Sequence, residues 1–85
     1  MAHRLAIELA SGVTARLNTR ADCLVNVVIT AGRGLHQRLV YSACFPLERF
    51  TKRAPGLYID NAFVELTDAE AATVFGFLGL AGWKA

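Results

Sequence analysis

Histidine, cysteine and proline occur only twice each in this 85-residue chain, and tryptophan occurs once. These scarcities exclude whole classes of chemistry. Cys23 and Cys44 fall on separate predicted strands, and His3 and His36 at unrelated positions, so none of the paired spacings of a zinc site is present. Two cysteines are too few for a disulfide scaffold, and the pattern fits a reducing, cytoplasmic setting. A Cys44–His36 nucleophile fails on distance, because eight residues along one strand span about 26 Å. Cys23 with His36 would need one particular strand register and lacks a third group to orient the imidazole.

Long apolar runs are also missing. Nothing approaches the roughly 18 residues of a membrane span. In the opening MAHRLAIELA, Glu8 interrupts the apolar stretch, so it does not read as a secretory signal. The turn AGRGL (Ala31–Leu35) lacks the lysine and hydroxyl of a phosphate loop and the three glycines of a dinucleotide fingerprint. The sequence predicts no enzyme, no metal and no cofactor.

What remains is globular: 54% of the residues are hydrophobic and 19% charged. One compact domain over residues 1–85 is expected, with a core that has little reserve. The net charge of +2 is unevenly spread. Residues 1–53 hold eight basic against three acidic residues (+5), and residues 54–85 one against four (−3). Asp68 and Glu70 among these carboxylates already have a role in helix capping.

That helix is the clearest local signal. Thr67 and Glu70 have the capping-box spacing, Asp68 complements the helix dipole, and Leu66 stands where a hydrophobic staple reaches Ala71. Ala71, Val74, Phe75 and Leu78 form one stripe, predicted to face the core. Gly79 is the expected left-handed stop, with Leu80 packing back on Phe75. Gly76 costs about 1 kcal/mol relative to alanine.

Upstream the pattern is that of strands. Arg4–Leu9 and Val13–Asn18 alternate around a Ser11–Gly12 turn and read as a hairpin. Cys23–Thr30, rich in β-branched residues, is the central-strand candidate with both faces mostly covered. Leu35–Phe45 returns as a long strand, with Gln37, Leu39, Tyr41 and Ala43 on one face. Pro46 ends its ladder. Leu47–Lys52 is expected to form a helical turn with Leu47 and Phe50 inward. Leu57–Asp60 and Ala62–Leu66 make either one bulged strand or a small hairpin. Short connections favour antiparallel neighbours, so the expected fold is α+β: a single antiparallel, meander-like sheet of about four or five strands covered by one C-terminal helix.

Two surfaces stand out as candidate sites. Phe77 lies off the inward stripe, and with Leu80 and Trp83 it is expected to form an exposed apolar patch for a protein partner or a homodimer seam. Arg49, Lys52 and Arg53, beside Phe45, Phe50 and Tyr58, have the cation-and-aromatic composition of an anion or single-stranded nucleic-acid face. Size, compactness and the missing catalytic motifs favour a non-catalytic protein-binding module, an inhibitor or regulator of a macromolecular complex. Phages and other mobile elements encode proteins of this class, anti-CRISPR proteins among them. A nucleic-acid-binding domain using the arginine-rich face is the alternative.

Overall fold

A computed structural model describes residues 3–20, 24–32 and 34–84. The alternation read in the sequence produces β1 (Arg4–Glu8) and β2 (Val13–Thr19), which β3 (Leu24–Ala31) and β4 (Arg38–Pro46) extend into a four-stranded antiparallel sheet of order β1-β2-β3-β4. A second antiparallel sheet follows, made of β5 (Phe50–Arg53), β6 (Gly56–Ile59) and β7 (Ala62–Glu65) in that order. Helix α1 runs from Asp68 to Leu80. The architecture is α+β, with two sheets where the sequence suggests one.

The division falls at Leu47–Arg49, a single 3-10 turn after Pro46. The expected helical turn to Lys52 does not form. Thr51, Lys52 and Arg53 instead pair with Tyr58, Leu57 and Gly56, because one isolated helical turn fixes several dihedrals for little hydrogen bonding, whereas a ladder bonds each residue. Phe50 enters the core at the start of this strand. The Asp60–Asn61 hairpin option is the one realised, and Asp60 takes φ 56° in its turn. Gly56 is required where β6 crosses β7: a Cβ there would run into the Val64 carbonyl oxygen and touch the Phe63 ring.

One hydrophobic cluster joins all three layers, drawing Leu17, Val25 and Val27 from the first sheet, Leu57 and Ile59 from the second, and Val74 and Leu78 from the helix. The central strand β3 is fully covered on one face and partly covered on the other. Val25, Val27 and Ile29 are buried, while Leu24, Asn26 and Val28 on the opposite face are half-buried. Cys23, expected at its start, lies outside the described residues, as does Arg33 in the following turn. Leu35 and His36 belong to a 3-10 turn rather than to β4. Within β4 a bulge intervenes: Ile29 faces Tyr41 and Thr30 faces Leu39, leaving Val40 without a counterpart. The bulge separates Leu39 from the face of Tyr41 and Ala43 and explains the imperfect alternation.

The helix begins as its sequence dictates. The Glu70 amide donates to Thr67 Oγ1 (3.2 Å), and the Thr67 amide donates to Glu70 Oε1 (2.9 Å). Its end lies one turn later than expected. Gly82 (φ +102°) takes the left-handed position instead of Gly79, with the Gly82 amide donating to the Gly79 oxygen (3.0 Å) and the Trp83 amide to the Leu78 oxygen (2.9 Å). This is a Schellman ending in which Trp83 replaces Leu80 as the residue that packs back. Its ring stacks on Phe75 at 5.5 Å. The helix is correspondingly rotated, with Val74, Phe77 and Leu78 buried and Phe75 at the margin.

Candidate functional site

The expected helix-end patch does not assemble. Phe77 is only 7% exposed, because the rotation that seats Leu78 at the centre of the core carries Phe77 inward with it. Trp83 is half-buried, and its Nε1 donates to the Phe50 carbonyl oxygen on β5 (2.8 Å). Leu80 alone of the three stands in solvent, at 70% exposure.

The basic segment is likewise dispersed. Arg49 faces the Asp60 carboxylate at 3.6 Å. Lys52 Nζ lies 5.2 Å from the centre of the Phe75 ring, a cation–π contact that turns it toward the helix. Arg53, next along the strand, points to the opposite face. The aromatics are also engaged: Phe50 is buried, and Tyr58 packs on Phe63 at 5.1 Å. Phe45 lies against the core and stacks with Tyr41 at 6.3 Å. Arg49 and Lys52 therefore serve separate contacts, and Lys52 and Arg53 lie on opposite faces of β5.

Among the described residues, no group of three or more His, Cys, Asp or Glu side chains is gathered to hold a metal. Cys44 is an exposed free thiol. Among the described residues, two titrations are shifted by the fold. Burial, and then the nearby Asp60 carboxylate, raises the Tyr41 phenol above its ordinary value. Glu70 is held below its ordinary carboxylate value, first by the Thr67 amide; desolvation opposes this next, and the Ala10 amide adds a further lowering. The Ala10 amide donates to Glu70 Oε2 at 2.9 Å, tying the β1–β2 turn to the start of the helix.

What the structure does gather is apolar. A cleft of about 410 Å³ opens between the end of the first sheet and β7, lined by Val13, Ile29, Val40, Tyr41, Phe63 and Val64 together with the exposed Ser11 and Glu65. Val40 is 54% exposed and Phe63 42%, and Leu39 beside them is 64% exposed. Covering a side chain of this size is worth about 1.5–3 kcal/mol. The local reasons are plain. Val40 is displaced by the bulge, and Phe63 alternates with Val64 along β7, its ring lying over Gly56. A larger cavity, about 530 Å³, lies at the β3–β5 junction, but Glu48 and Lys84 share its wall with Leu47 and Trp83.

No sequence motif marks the apolar cleft, since its walls come from four separate segments. A broken alternation around Val40 was its only trace in the sequence. No family model matches the chain, and neither the curated proteins nor the solved structures include one that matches it significantly.

Proposed function

We propose that this chain is a non-catalytic protein-binding module that seats an apolar element of a partner protein in the cleft beside β7, acting as an inhibitor or regulator of that partner. The supporting observation is the exposure of Phe63 and Val40 in a cleft lined mostly by apolar side chains, with the exposed Ser11 and Glu65 among its polar residues. Large exposed side chains around an apolar concavity, bordered by polar residues, are characteristic of interaction surfaces. The nucleic-acid alternative has less support, since Arg49 and Lys52 are engaged within the protein.

Phe63→Asp tests this reading, with Leu80→Asp as the control at the helix end. Cross-linking in cells that express the protein should yield an adduct that Phe63→Asp abolishes and Leu80→Asp leaves intact, both variants keeping the wild-type circular dichroism spectrum. Loss with Leu80→Asp and retention with Phe63→Asp would return the interface to the helix end.

A further inference from the structure

The outer edge of β4 carries information of its own, independent of what fills the cleft. Among the described residues β4 has one neighbour, β3, and its other side is unpaired. Which backbone groups face outward follows from the ladder. The Thr19 amide donates to the His3 oxygen (2.9 Å) and the Arg20 amide to the Leu24 oxygen (2.8 Å), so odd-numbered residues of β2 bond to β1 and even-numbered residues to β3. Carried across β3, this alternation commits Tyr41, Ala43 and Phe45 to the inside of the ladder and leaves the amides and carbonyls of Ser42 and Cys44 directed outward. The strand is nine residues long with Arg38 as its one charge, and it lacks the lysines and inward charges that blunt a free edge.

We infer that β4 pairs antiparallel with β4 of a second copy, about a two-fold axis through Ala43. In that register Ser42 and Cys44 of each copy exchange backbone hydrogen bonds with Cys44 and Ser42 of the other. The small Ala43 side chains meet at the axis, where antiparallel Cα atoms approach to about 4.5 Å. Tyr41 faces Phe45 of the second copy, Leu39 faces Leu47, and Pro46, which has no amide to donate, falls opposite the bulge at Val40, where the ladder is already interrupted. Beyond them Arg38, exposed at one end, is brought to Glu48, exposed just past the other, and the symmetry repeats this opposite-charge pair twice. A parallel arrangement would set Arg38 against Arg38 and Glu48 against Glu48. Charge therefore selects the direction, and side-chain size selects the register.

Sedimentation equilibrium and oxidative cross-linking test the pairing. The wild-type chain should be dimeric, and Ser42→Pro, which removes an outward amide without touching the β3 ladder, should weaken the dimer by about tenfold or more. Arg38→Glu should weaken it as well, and adding Glu48→Arg should restore it. The Ser42→Cys chain should oxidise to a covalent dimer through Cys44 of the second copy, because facing Cα atoms there lie about 5.5 Å apart. Ser42→Cys combined with Cys44→Ser should not, since like positions are offset by two residues. A wild-type chain that stays monomeric up to about 1 mM, the scale of only −4 kcal/mol, overturns the proposal. So does a dimer indifferent to Ser42→Pro and to the charge exchange.

Discussion

The two strands nearest the sheet junction, β4 and β5, each have an outer edge, and the protein treats them differently. β5 is four residues long, carries Lys52 and Arg53, and has its Phe50 carbonyl taken by the Trp83 indole. β4 is nine residues long, has Arg38 as its only charge, and keeps Leu39 and Val40 in solvent. An exposed edge is a hazard that short length, charge and cover each reduce. β5 has all three protections, whereas β4 has a single charge, Arg38, and a bulge near one end. A chain with a single tryptophan uses it to close one edge, so the openness of the other is a property with consequences rather than a uniform feature of a small fold.

The contrast is broken most completely through the shared core. Leu78 is fully buried between the layers, and Leu78→Ala should cost about 2–5 kcal/mol, with hydrogen exchange accelerating in both sheets together. Trp83→Ala should be more selective. Losing the Phe75 stack and the indole hydrogen bond should cost about 2–3 kcal/mol, with faster exchange in β5 while β4 is unaffected beyond the global change. Trp83→Phe keeps a ring and removes only the N–H, for about 1 kcal/mol, read as a fall in Tm of about 4–8 °C. Acid sharpens the same comparison. Glu70 has its folded value lowered below the ordinary 4.5, so its contribution is full above that value and is lost as pH falls through the folded value. Acid titration of wild type against Glu70→Gln should show the two stability curves converging below pH 4.5. The smallest effect belongs to the open edge: Leu39→Lys should change monomer stability by less than about 0.5 kcal/mol.

How much of this was legible depended on how local each cause is. The capping box at Thr67 and Glu70 involves contacts three residues apart, and the β1–β2 hairpin depends on alternation around one turn; both are visible in the sequence. The helix stop was not. Gly79 and Gly82 each suit the left-handed position, and the choice went to the one that lets Trp83 reach Phe75 and Phe50, a contact across 33 residues. The inward face was ambiguous for a related reason: Val74, Phe75, Phe77 and Leu78 make the helix apolar around much of its girth, so packing decided its rotation. The second sheet was obscured because β5 offers a single inward apolar residue, Phe50. The cleft left almost no sequence trace, because its walls meet only after both sheets have formed.

The Glu70 carboxylate has one more implication, which concerns time. Its bond to the Ala10 amide spans 60 residues, so the β1–β2 turn is completed by an element synthesised well after it. Until α1 winds and its N-terminus arrives, the Ala10 amide can be satisfied only by water, and the β1–β2 hairpin is a provisional structure. Closure of this long-range contact would then fall late in assembly, after the local hairpins, in keeping with the entropic cost of joining distant segments. Protection of the Ala10 amide during refolding would serve as the clock for that final step.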